Sequence, residues 1–182
     1  MPSILLPWRR HLNGRRKAFG SNFFRSQSRS ASSFAFMLDE VDKALLEALQ
    51  EDARLSYNEL ARRVHVSPPT VAQRVRRLEN MGAITGYRAV VDPTVVGRPI
   101  VALVRMKCYG PRCITVHPEL LDDVPEVVEV VRLTGEICSV VKVVTTSIIE
   151  LERLLVRLAA HGETSSAMVL STPIPWRPVL PA

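Results

Sequence analysis

The chain has 182 residues, 47% hydrophobic and 23% charged, a globular composition long enough for one medium domain or two small ones and incompatible with disorder throughout. No stretch reaches the ~18 consecutive apolar residues of a membrane-spanning helix, and the three cysteines (Cys108, Cys113, Cys138) lack the paired spacings of a disulfide framework, so the expected setting is reducing and cytoplasmic. The formal net charge of +6 is uneven: +7 over residues 1–36, −5 over 37–53, +5 over 54–88 and −1 over 89–182, which leaves one basic island in the body of the protein.

Residues 1–36 contain seven Arg or Lys, seven serines and no acid, without helical or strand period, and read as a disordered basic extension. The composition also fits an organellar transit peptide, but Met37 stands directly before the first helix and favours an over-extended start or an arm with no role of its own. From Leu38 the pattern becomes helical: Leu38, Val41, Leu45, Leu46 and Leu49 share one face, and Asp39 and Asp42 make an acidic first turn. Ser56-Tyr57-Asn58-Glu59 is a capping box opening a short second helix with Leu60, Ala61 and Val64 on its inner face. After only His65 and Val66, Ser67 as N-cap and Pro68 at the first helical position start a third helix, with Val71, Val75 and Leu78 inward and Gly82 at its end. Two helices so closely joined form a helix-turn-helix, and His65 in the turn suits a left-handed residue.

Ile84 to Val91 reads as extended, and residues 92–97 as a linker. The second half predicts a strand (Ile100 to Lys107), a short helix (Pro118 to Val124), strands at Val127 to Leu133 and Ile137 to Val144, a helix (Ser147 to Ala160) and a strand (Ala167 to Thr172). The order βαββαβ suits a ferredoxin-like antiparallel sheet with both helices on one face. In the valine-rich strands both alternating sets are apolar, so both sheet faces need cover; a second copy of the chain on the open face is the expectation.

On the third helix the outward residues are Pro69, Thr70, Gln73, Arg74 and Arg77, with Arg76 at a flank. Arg can pair bidentately with guanine and Gln with adenine in the major groove. Gln73 and Arg74 are therefore expected near bases and Arg76 and Arg77 near phosphates, with Ser67 and Thr70 at the positively polarised helix end near phosphate too. Arg62, Arg63 and Arg88 are candidates for the flanking backbone. Cys108-x4-Cys113-x3-His117 gathers soft ligand types, but the spacing matches no zinc pair and no fourth ligand is apparent, so the cysteines read as small hydrophobes and no metal is expected. No G-x-S-x-G, H-E-x-x-H, P-loop or G-x-G-x-x-G occurs, and neither an enzyme nor a cofactor is expected.

The segment Leu38–Pro93 resembles the leucine-responsive/asparagine-operon (Lrp/AsnC) family of transcription regulators. It carries the opening L-D-x-x-D (Leu38, Asp39, Asp42), D-A-R-L-S, E-L-A (Glu59 to Ala61), V-S-x-x-T-V-x-x-R-V-x-x-L-E and G-x-I-x-G-Y. Similarity continues through P-E-V (Pro125 to Val127), T-G-E (Thr134 to Glu136) and V-L-S-T (Val169 to Thr172), about four-fifths of the chain in all. The resemblance implies an α+β protein: a winged helix-turn-helix over 37–91, the linker 92–97, a ferredoxin-like sensing and dimerisation domain over 98–173, and a tail over 174–182. It further implies duplex DNA as partner, homodimers that assemble further, up to octamers, and a small-molecule effector, an amino acid or relative. Thr134, Gly135 and Glu136 would lie beside that effector, with Ser165 and Ser166 before the last strand as further candidates. Where the family often has G-D-x-D, this chain has Gly135-Glu136-Ile137-Cys138, and Pro118 interrupts the first helix of the sensing domain. Siroheme decarboxylases share this architecture, but residues 130–135 offer one Arg and no His for a tetrapyrrole; a sensing module with lapsed DNA contacts is the other alternative.

Overall fold

The computed structural model describes residues 38–174 and 176–180; the basic extension lies outside the described residues. The chain forms two compact units, one containing residues up to Arg88 together with the segment from Trp176, the other running from Ala89.

In the first unit, α1 (Glu40–Glu51) opens on a reciprocal cap in which the Asp39 side chain accepts from the Asp42 N–H and Asp42 returns the favour to Asp39. The Ser56–Glu59 capping box starts α2 (Tyr57–Val64), as its spacing predicts. His65 ends α2 in the left-handed conformation (φ 56°), the turn role expected of it. Ser67 caps α3 (Pro68–Asn80), and Gly82 follows it with positive φ. Leu45, Leu60, Val71, Val75 and Leu78 are fully or almost fully buried and form the core between the three helices. Each such side chain contributes about 1.5–3 kcal/mol by leaving water. Near the C-terminus, the Gln50 amide donates to the Val179 carbonyl at 3.1 Å and accepts its N–H at 2.9 Å.

The segment Ile84 to Val91, read as extended, joins no sheet: it has no ladder partner among the described residues, and extended backbone without one does not become sheet. Tyr87 is instead tied to α3 through a 3.1 Å hydrogen bond to Glu79, and burial first, then that carboxylate, pushes its phenol up to about 12.

The second unit contains β1 (Ile100–Lys107), β2 (Val127–Arg132), β3 (Ser139–Thr145), α4 (Ile148–Ala159) and β4 (Glu163–Met168). The strands pair antiparallel in the order β2-β3-β1-β4, the ferredoxin-like arrangement. Ala102, Val104 and Met106 of β1 and Val141 and Val143 of β3 pack on Leu151, Leu154 and Leu158 of α4. Two expectations are corrected. The helix at Pro118 to Val124 is a single 3-10 turn, Pro118–Leu121, because Pro118 and a chain too short to propagate leave only one turn; α4 is therefore the α-helix that covers the sheet. The last strand is Glu163–Met168 rather than Ala167–Thr172, its place being set by pairing with β1 and not by its own modest hydrophobicity.

Gly162 allows that pairing. A Cβ there would lie 2.6 Å from the Cys108 Cβ and 2.7 Å from the Lys107 carbonyl oxygen, so only glycine lets the α4–β4 junction close on the end of β1. Gly162→Ala is expected to destabilise the second unit by about 1–3 kcal/mol. Amide hydrogen exchange along β1 and β4 would show it, and unchanged protection there would contradict the assigned role.

Candidate nucleic-acid interface

The amino end of α3 is polar yet short of free backbone donors. Pro68 and Pro69 have no N–H, the Thr70 N–H is capped by the Ser67 hydroxyl, and the Val71 N–H bonds the Ser67 carbonyl at 3.0 Å. What this end offers an anion is the pair of hydroxyls of Ser67 and Thr70, 2.8 Å apart, and the helix dipole.

Along α3, Pro69, Gln73, Arg76 and Arg77 are exposed and Thr70 and Arg74 half-buried, on the side opposite Val71, Val75 and Leu78. Two of the three α3 guanidinium groups expected on nucleic acid have carboxylate partners in the structure. Arg74 pairs with Asp39 and, at 3.0 Å, with Asp42; Arg77 pairs with Asp42 at 3.0 Å. The Asp42 side chain has no solvent exposure, so this is a buried carboxylate gripped from one helix by two arginines of another. The Arg74 hydrogen bond holds the Asp39 carboxyl below its ordinary range, and Asp39 in turn raises the Arg74 guanidinium. The clamp was legible as two matched i,i+3 pairs, Asp39/Asp42 and Arg74/Arg77, which sequence reasoning assigned separately to a helix start and to DNA.

By contrast, Gln73, Arg76 and Arg88 make no hydrogen bond or ion pair to another described residue. Arg63 reaches Glu51 at 3.6 Å, and Arg62 is exposed on α2. Thr70, Gln73, Arg74 and Arg77 line a shallow hollow, and Arg62, Ser67 and Pro68 border another at the α2–α3 turn.

In the second unit, Thr134, Gly135 and Glu136 form the exposed loop between β2 and β3, with Gly135 at φ 101°. Glu136 pairs with Lys107 at the end of β1, which holds its carboxyl below the ordinary range. Ser165 and Ser166 lie within β4 rather than before it, and Ser165 accepts a hydrogen bond from Arg105 at 3.0 Å. No hydrogen bond among the described residues joins these serines to the Thr134–Glu136 loop. Cys108, Cys113 and Cys138 converge, whereas His117 instead bonds Glu119 at 2.9 Å.

Asp42→Asn is expected to cost about 2–3 kcal/mol, below the ~3–5 kcal/mol of a fully buried pair because the arginines can turn to water. Denaturant unfolding of the first unit would show it, and a change under ~0.5 kcal/mol would remove the clamp from the account. Because the Asp39 carboxyl sits below its unfolded value, its stabilising effect is complete above pH ~4 and is lost as pH falls through the lower folded value. Asp39→Asn should accordingly flatten the acid limb of the stability curve.

Comparison with known proteins places these units. Residues 38–79 match the AsnC-type helix-turn-helix domain and residues 103–179 the Lrp/AsnC ligand binding domain. The HTH-type transcriptional regulator YezC of Bacillus subtilis is 35% identical over 135 residues, 74% of this chain and 95% of that protein. The feast or famine regulatory protein from Mycobacterium tuberculosis, solved complexed with L-methionine, matches with a TM-score of 0.73 and 34% identity over 79% of this chain and 99% of that one. The transcriptional regulator NMB0573 of Neisseria meningitidis, also solved as an L-Met complex, matches with a TM-score of 0.71 and 26% identity over 78% and 96% of the respective chains. With a helix-turn-helix whose caps and turn are all in place, followed in sequence by a domain with a four-stranded antiparallel sheet, this chain belongs to the Lrp/AsnC family of helix-turn-helix transcriptional regulators.

Proposed function

We propose that this regulator binds duplex DNA by laying α3 in the major groove, with Gln73 reading a base edge and Arg76 neutralising phosphate. The observation that carries this reading is the pair of unengaged polar side chains, Gln73 and Arg76, on the exposed side of a helix whose start and tilt are fixed by the Ser67 cap and the Asp42 clamp. A helix already fixed in place loses less freedom on binding than one that must be ordered. The Ser67 and Thr70 hydroxyls and Pro69 face the groove entrance, and Arg62, Arg63 and Arg88 supply flanking backbone contacts. Arg74 and Arg77 serve DNA binding first by holding α3, and would reach bases or phosphates only by exchanging carboxylates for them.

The L-methionine complexes of the similar proteins support an amino acid as effector, and the Thr134–Glu136 loop with its left-handed Gly135 is the proposed place for it. On the face of the sheet away from α4, which also carries Val101 and Val140, Leu103 and Val131 remain 39% and 44% exposed, Val131 opposite Val140 and Leu103 opposite Lys142. A second copy covering this face would make the dimer that brings two reading helices to half-sites about one helical turn apart. The relatives are transcription regulators, and a regulator working on DNA is proposed to act in the cytoplasm.

Fluorescence anisotropy of a chain starting at Met37, with duplexes from upstream of its own coding region, tests the reading. Gln73→Ala should weaken binding to the preferred sequence by about 1–3 kcal/mol, roughly 5- to 150-fold, while changing non-specific binding little. Arg76→Ala should weaken all duplexes alike and lower the salt slope by about one. Equal weak binding to every duplex by wild type and variants would reject the proposal. For the dimer, Leu103→Glu should shift sedimentation toward the monomer, and an unchanged sedimentation coefficient would place the interface elsewhere.

A further inference from the structure

Three sulfurs meet at one end of the sheet, two from neighbouring positions and the third from thirty residues on. Cys108 follows β1, Cys113 follows the 3-10 turn Gly110–Arg112, and Cys138 immediately precedes β3. Their Sγ atoms all lie within 4.8 Å of one another, with Cys108 at 2.6 Å from Cys113 and 3.0 Å from Cys138. Cys108 and Cys113 are 3% exposed, while Cys138 is half-buried and leaves a way in.

We propose that Cys108, Cys113 and Cys138 form a binding site for one thiophilic monovalent cation of the Cu(I) type, held by three sulfurs.

The backbone around the trio is pinned before any ion arrives. The Cys113 carbonyl accepts from the N–H groups of Val116 and His117 at 3.0 and 2.9 Å, and the Cys138 N–H donates to the Met106 carbonyl at 2.9 Å. Gly162 brings the α4–β4 junction against Cys108 from the other side. The sulfurs are also provided with donors of the kind that metal-bound thiolates need: the Cys108 N–H points at the Cys138 Sγ at 3.3 Å, and the Thr115 hydroxyl lies 3.0 Å from the Cys113 Sγ. Three sulfurs bound at ~2.3 Å to one ion stand roughly 3.8–4.0 Å apart, so admission of the ion requires the side chains to turn until Cys108 stands about 1.2–1.4 Å farther from Cys113 and about 1 Å farther from Cys138. Thiolates select soft ions, and Zn(II) almost always takes four ligands. Among the described residues no His, Asp or Glu joins the three cysteines, which favours the ion that three sulfurs satisfy. A disulfide would use two of the three and leaves the convergence of Cys138 without purpose. On binding, thiol protons leave to solvent as Cu–S bonds form, and no electron is transferred. The site stands two residues beyond the Thr134–Glu136 loop, but it does not depend on the chain binding DNA or an amino acid.

The full chain, reduced and kept free of oxygen, would be titrated with Cu(I) against a chromophoric Cu(I) chelator, and with Zn(II) separately. The expected result is one Cu(I) per chain, Cu(I)–thiolate luminescence, and protection of all three cysteines from alkylation. Cys138→Ser and Cys113→Ser should each weaken binding roughly tenfold or more. Protection of the wild-type thiols needs no variant, so a misfolded substitution would not obscure the answer. Unchanged affinity in Cys138→Ser, tighter retention of Zn(II) than of Cu(I), alkylation of the thiols at the same rate with and without Cu(I), or a Cys108–Cys113 disulfide that persists in reductant would each overturn the proposal.

Discussion

Asp42 is a carboxylate with no solvent exposure, and it is affordable only because three groups meet it: the Asp39 N–H through the reciprocal cap, and the guanidinium groups of Arg74 and Arg77. A buried ion pair of this kind contributes less to net stability than to uniqueness, since any other register of α3 against α1 leaves a charge unpaired in a low-dielectric setting. Sliding α3 by one residue would move Arg74 and Arg77 about 100° around the helix and away from Asp42. The register of α3 is thus tied to the amino end of α1, and the hydrophobic core of Leu45, Leu60, Val71, Val75 and Leu78 supplies the bulk of the adhesion without having to supply the register.

That division of labour shapes the interface. Arginines drawn into a structural clamp are less available to an anion than Arg76 and Arg88, which are exposed and make no ion pair to another described residue. The double proline at the start of α3 works in the same direction: it rigidifies the entry but removes two backbone donors, leaving hydroxyls where other helix ends would offer N–H groups. Contacts from this helix therefore depend on side-chain chemistry more than on its exposed backbone.

The second unit is built around a sheet covered by α4 on one side, with 3-10 turns taking the place of a second α-helix. Its backbones come closest at Gly162 against Cys108, beside the antiparallel ladder of β1 with β3 and β4. The loop carrying Gly135 and Glu136 is anchored to β1 through Lys107, and Tyr109 donates to the Glu136 carbonyl at 3.4 Å. A molecule seated at this loop would act directly on the strand from which the sheet is built, and a ligand that binds one arrangement better than another shifts the balance between them.

Local signals decided what local physics controls. The caps at Ser56 and Ser67, the left-handed His65 and the limits of β1 follow from residues within a few positions of each other, and all were read in order along the chain; the caps at Asp39 and Ser147 are equally local. What escaped such reading depends on partners distant in sequence. The extended segment at Ile84 to Val91 had strand-like residues but no neighbour to pair with, and β4 moved about four residues earlier because its ladder with β1, not its own composition, defines it. Arg74 and Arg77 looked like free charge until Asp42, more than thirty residues away, was seen to hold them. Likewise Cys138 joined Cys108 and Cys113 across the β1–β3 pairing, where linear spacing had suggested His117. The sequence alone thus determined most of the helices and strands and the helix-turn-helix, through short-range capping and periodicity, and its motifs carried the resemblance to the family. The tertiary structure decided which polar side chains are already engaged and which remain to bind, because that depends on charges and sulfurs brought together only when the helices and strands pack.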